Sequence, residues 1–140
     1  MEQNAIFGPF FAMMGLTLVV WVYMYVRRIA FLNTGQIEPN AITPAKLAEI
    51  SPPAVANPSD NLKNLFEMPV LFYAIVLYLD GASAVDGTCL AAAWLFVVFR
   101  VLHSAVHCTI NIVLLRFALY AASSVALWFM VLRAALVHFG

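Results

Sequence analysis

The chain has 140 residues, of which 64% are hydrophobic and only 10% charged, against about 45–50% and about 25% in soluble globular proteins. Seven basic residues balance seven acidic ones. These figures exclude a disordered chain and an ordinary soluble domain, and no basic run is present to neutralise nucleic-acid phosphates; what remains is an integral membrane protein in contact with the lipid bilayer.

The first predicted element is an apolar span over about residues 5–28, long enough to cross a bilayer core and stopped by Arg27-Arg28. Residues up to Asn57 are polar and broken by Pro39, Pro44, Pro52 and Pro53. Within them, Thr43-Pro44 followed by Ala-Lys-Leu-Ala-Glu-Ile predicts an N-cap, a proline at N1 and a short helix to about Ile50. Asn57-Pro58-Ser59-Asp60 repeats that grammar and predicts the start of a second span, 58–79. Asp80-Gly81 and Asp86-Gly87 bracket a short turn before a third span, 88–108. Asn111 marks a tight turn, and a fourth span covers 112–137. The expected architecture is all-α, a single domain built as a membrane four-helix bundle. Arg27, Arg28, Lys46 and Lys63 gather at the first loop, which the positive-inside rule places in the cytoplasm, with both termini outside. Cys89 and Cys108 lie at opposite ends of the third span, roughly 28 Å apart, too far for a disulfide within one chain.

Several residues are costly in a bilayer and therefore informative. Glu67 falls in the second span, Arg100, His103 and His107 in the third, and Arg116 in the fourth. Asp60, Asn64 and Glu67 follow i, i+4, i+7; Arg100, His103 and His107 follow i, i+3, i+7. Each set spans roughly 60° of one helix face. Glu67 lies roughly 13 Å and Arg100 roughly 12 Å inside the cytoplasmic boundary, and Arg116 and Tyr120 reach the same zone. Sharing a depth and opposite in charge, Glu67 and Arg100 are expected to pair, whether for function or only to fix helix register. Pro69 should kink the second span, either opening a cleft or being absorbed by neighbouring groups.

Asn64-Leu-Phe-Glu67-Met-Pro69 resembles the helix-2 signature of the MAPEG family, the membrane-associated proteins in eicosanoid and glutathione metabolism. Arg100-Val-Leu-His103 resembles the family's helix-3 motif, and Arg116 with Tyr120 its helix-4 arginine and tyrosine. The resemblance covers essentially the whole chain, as that of a divergent, bacterial-type member. It implies a homotrimer with glutathione as co-substrate, held near Asn64, Glu67, Arg100, His103, His107 and Tyr120. It also implies that Arg116 stabilises the glutathione thiolate for attack on, or reduction of, lipophilic electrophiles. Three positions depart from the family pattern: Asp60 stands where an arginine grips a glutathione carboxylate, His107 where a tyrosine helps hold glutathione, and Phe117 where one branch has a serine.

Two functions follow as expectations. One is a membrane glutathione transferase or peroxidase. The other is a non-catalytic protein of the same fold, acting as structural subunit, lipid binder or partner of a larger membrane complex. A third reading places a metal ion on His103 and His107 at i, i+4, with Glu67 or Asp60 completing the site, but two ligands at that spacing are a weak signal and Arg100 beside them opposes a cation, and the expected metal set is none.

Overall fold

The computed structural model describes residues 3–140. A 3₁₀ turn over Gln3–Ile6 leads into α1, Phe7–Thr34. The short α2, Pro44–Ile50, lies in the first loop; α3, Pro53–Asn64, and α4, Met68–Gly81, form the second span; α5, Gly87–Cys108, and α6, Val113–Phe139, follow. Among the described residues, four helical stretches are long and apolar enough to cross a membrane: Gln3–Thr34, Pro53–Gly81, Gly87–Cys108 and Val113–Phe139.

The helix ends follow from local chemistry, with two corrections to the expected bounds. First, α1 does not stop at residue 28. Arginine is a good helix former, and the two arginines are used as anchors: Arg27 Nε donates to the Ala54 carbonyl at 3.2 Å and Arg28 Nη2 to Ser59 Oγ at 3.1 Å. The helix runs on to Thr34, and the chain turns through Gln36 at φ 50°. Second, α3 starts at Pro53, so Asn57 is no N-cap and Pro58 lies inside the helix. Pro52-Pro53 offers the same proline-at-N1 start five residues earlier. Pro58 has no N–H for the Ala54 carbonyl, and Arg27 supplies the missing donor.

Thr43 Oγ1 accepts from Lys46 N at 3.2 Å and starts α2. Asp86 Oδ1 accepts from Cys89 N at 2.8 Å and starts α5. Asn111 adopts φ 46°, in the left-handed region an asparagine tolerates, and makes the turn between α5 and α6.

The second span is broken rather than kinked. Glu67, at φ −99° and ψ −104°, is outside both helices. Pro69 sits in the first turn of α4, where its missing N–H costs nothing to α4 but denies the Leu65 carbonyl its helical partner.

α5 packs along α6, α1 packs against α3 and α5, and α4 lies against α6 and α1. Phe72 and Phe96 stack at 4.5 Å between centroids, with Met13, Val76, Leu127 and Met130 buried around them. Buried Ala92, Ala93, Ala126 and Ala134 let helix backbones approach closely, which matters because lipid is as apolar as the core and close dispersion contacts, not hydrophobicity, drive helix association. The outer faces carry Phe11, Leu18, Val125 and Leu136, as contact with acyl chains requires.

Candidate functional site

The break in the second span and the ends of α5 and α6 build one polar layer. From α3, the residues facing α5 and the α5–α6 turn are Asn57, Asn61 and Asn64, an i, i+4, i+7 asparagine seam. Asn111 Nδ2 donates to Asn57 Oδ1 at 3.3 Å. Asn61, fully buried, accepts from Ser104 Oγ at 3.2 Å and donates to Cys108 Sγ at 3.5 Å. The expected stripe through Asp60 is thus corrected: Asp60 is exposed and pairs with Lys63 at 3.0 Å. On that outer side of α3, a cavity of about 370 Å³ lies under the first loop, with Arg28, Asp60 and Lys63 among its walls.

Arg100 is the centre of the layer and is fully buried. Its Nη2 donates to the Asn64 main-chain carbonyl at 3.1 Å, and its guanidinium lies 5.3 Å from the centre of the Tyr120 ring. Asn64 is the last residue of α3, where unpaired carbonyls and the negative end of the helix dipole favour a cation. The expected Glu67–Arg100 ion pair is not formed among the described residues. Projecting residue 67 onto the face of Asn64 assumes a continuous helix, and the break turns Glu67 outward. With the Asn64 amide oriented to donate, its nitrogen is 3.1 and 3.3 Å from the two Glu67 carboxylate oxygens. Arg100 Nε and Nη1 have no hydrogen-bond partner among the described residues.

His103 lies one turn further along α5 and is buried. Its Nδ1 is 3.0 Å from the Arg116 carbonyl. A carbonyl only accepts, so Nδ1 carries the proton and Nε2 presents a lone pair in the neutral ring. That Nε2 has no partner among the described residues, and neither does His107 Nδ1. The His103 ring sits 5.6 Å from that of His107 and 5.8 Å from that of Tyr120. Arg116 is half-buried, and its Nη1 donates to Asn111 Oδ1 at 2.7 Å. Arg100, His103, His107, Arg116, Tyr120 and Asn64 therefore share one layer, whereas Glu67 stands at its edge. No three His, Cys, Asp or Glu side chains among the described residues converge as a metal site.

Residue-type patterns missed Asn61 and Ser104, and foresaw the turn at Asn111 but not its side-chain bonds to Asn57 and Arg116; the 57–61–64 spacing was the signal that carried the first of these. They also missed a clamp at the far end of the bundle. There Arg133 bonds to the Asp86 carboxylate and donates through Nη1 to Cys89 Sγ at 3.0 Å. The Cys89 backbone N–H and then Arg133 hold the Asp86 carboxyl down to about 2. Cys89 and Cys108 are both free thiols.

Among curated proteins, none matches the chain. The family model described as MAPEG family matches residues 6–136, which take in most of the first and fourth spans, all of the second and third, and every residue of the polar layer. The match, the four membrane-spanning stretches and the helical bundle agree: the chain is an integral membrane protein that belongs to the MAPEG family.

Proposed function

We propose that this protein binds glutathione at the Arg100 layer and uses Arg116 to stabilise its thiolate for reaction with lipophilic electrophiles, as a membrane transferase or peroxidase. One observation carries the reading: Arg100 is fully buried with one neutral carbonyl and one aromatic ring as partners, and its Nε and Nη1 have no partner among the described residues. A buried cation without a carboxylate is costly, and an anion brought by a ligand offsets that cost. The residues present fit an anionic thiol in this respect. Arg100 would hold an anionic group, Asn64, Glu67, His107 and Tyr120 would border it, and Arg116 would act on sulfur. An adjacent cation lowers a thiol's pKa, and arginine supplies that cation without titrating. The Arg116–Asn111 bond is between a cation and a neutral amide, so the charge stays available to a ligand.

In this reading the assembly is a homotrimer, the first loop is cytoplasmic and both termini lie outside. The non-catalytic alternative draws on Asp60, whose exposed carboxylate would repel those of glutathione and whose partner Lys63 is thereby neutralised. Detergent-solubilised protein assayed with glutathione and a generic aromatic electrophile separates the two. Turnover that falls on Arg116→Ala, with partial retention in Arg116→Lys, supports the transferase. Absence of turnover in the wild type supports the alternative.

A further inference from the structure

Arginine can stabilise a thiolate but cannot take the thiol's proton, since its guanidinium is always protonated and has no acceptor. In a layer this enclosed, release of that proton to bulk water needs a carrier. We infer that His103 is the proton acceptor for the bound thiol, through Nε2; the inference rests on the thiol-binding reading above.

Three observations support this assignment. The ring is fixed by the bond from Nδ1 to the Arg116 carbonyl, which sets the tautomer that leaves the lone pair on Nε2. His103 is 2% exposed, so water does not freely satisfy that lone pair. Nε2 has no partner among the described residues, while the neighbouring orphan atoms of Arg100 are donors. The layer thus offers donors for an anion and, beside the unpartnered His107 Nδ1, one acceptor whose tautomer is fixed by a hydrogen bond.

The charged and titratable groups around His103 are Arg100 and His107 on α5 and Arg116 and Tyr120 on α6. The nearest carboxylates on the facing span, Asp60 and Glu67, are exposed, beside Lys63 and Asn64 respectively. Two arginines oppose a protonated His103 standing alone. They do not oppose transfer from a bound thiol, because the net charge of the layer is unchanged and the new negative charge forms beside them. His103 Nε2 takes the S–H proton, and the bonding pair stays on sulfur. That pair forms the S–C bond to an aryl halide, the halide leaves with the C–X pair, and His103 later returns its proton to water.

The test is thiolate absorbance on adding glutathione, followed across pH, together with the pH profile of kcat/KM, for wild type, His103→Asn and His103→Gln. Both amides can still donate to the Arg116 carbonyl, but neither is a base. The expected result is glutathione affinity within about threefold of wild type, turnover lower by about 100-fold, and a thiolate curve displaced to higher pH. Variant curves that superimpose on the wild type overturn the inference while leaving thiol binding intact. A wild type that adds no thiolate absorbance to that of free glutathione at any pH overturns the thiol-binding reading and this inference with it. Should neither variant fold, ¹⁵N-histidine NMR of the wild type decides: His103 must show Nδ1–H with a bare Nε2 that becomes protonated when glutathione is added, and an unaltered Nε2 resonance overturns the assignment.

Discussion

Replacing Arg100 with methionine separates a structural cation from a ligand-binding one. The hydrogen bond to the Asn64 carbonyl is charge-assisted, worth about 1.5–3 kcal/mol, and the contact with Tyr120 adds about 2 kcal/mol in a desolvated setting. Against these stands the several kcal/mol, in order of magnitude, required to bury a guanidinium. The Asn64 carbonyl is not orphaned by the change, because Glu67 N also reaches it at 3.3 Å. Methionine fills much of the volume with an adaptable apolar chain. The terms nearly cancel, so Arg100→Met should leave the ligand-free protein's unfolding free energy within about 2 kcal/mol of wild type. Glutathione should behave differently: at a hundredfold excess over Kd it stabilises a binding-competent protein by about 2.7 kcal/mol, and Arg100→Met should lose that gain. Thermal unfolding in mild detergent, with and without glutathione, reads both quantities. A ligand-free loss of about 3–5 kcal/mol, the cost of breaking a buried ion pair, would show that Arg100 serves a structural anion. A retained glutathione shift would refute the assignment of Arg100 to ligand binding.

Asp60→Arg should tighten glutathione, because a repelling carboxylate becomes a partner; isothermal titration reads the change, and unchanged affinity removes Asp60 from the site. In the wild type, Arg27→Ala should cost up to about 1 kcal/mol by removing the exposed hydrogen bond to the Ala54 carbonyl, and close to nothing in a Pro58→Ala background, where residue 58 regains its N–H; equal costs in the two backgrounds would contradict the pairing. Asp86 is depressed from 3.8 to about 2 in the folded protein, so its contribution is full above pH ~4 and fades as pH falls toward ~2. The carboxylate is 42% exposed, so screening keeps this contribution small; acid unfolding should shift modestly upward in pH on Arg133→Gln, and an unmoved midpoint would deny the clamp a role. Phe72→Ala should cost less than the about 3–5 kcal/mol typical of soluble cores, because lipid removes most of the transfer penalty; a larger loss would show that this stack is shielded from lipid-like surroundings.

Legibility in the sequence divided along a physical line. The spans were readable because a bilayer demands a long apolar run, and Arg100, His103, His107, Arg116 and Tyr120 stood out because charge and hydrogen-bonding groups are costly there. The start of α3 was not, because Pro52-Pro53 and Asn57-Pro58 carry the same helix-start grammar and only the Arg27 bond to Ala54 shows how an internal Pro58 is tolerated. The Glu67–Arg100 pair failed for a different reason. Helical periodicity projects side chains correctly only while the helix continues, and the break at 65–67 ends that projection. The main partners of Arg100 and His103 are backbone carbonyls, Asn64 and Arg116. Patterns of residue type carry no record of which carbonyls a helix break or a neighbouring turn leaves within reach.

The most direct test of the arginine layer is ultraviolet difference absorbance of the detergent-solubilised wild type titrated with glutathione at neutral pH, alongside Arg100→Met and Arg116→Ala. A saturable thiolate band in the wild type, absent from Arg100→Met for want of binding and displaced to higher pH in Arg116→Ala, is the predicted outcome. A wild type with no thiolate band, or one that both substitutions leave unchanged, would contradict it.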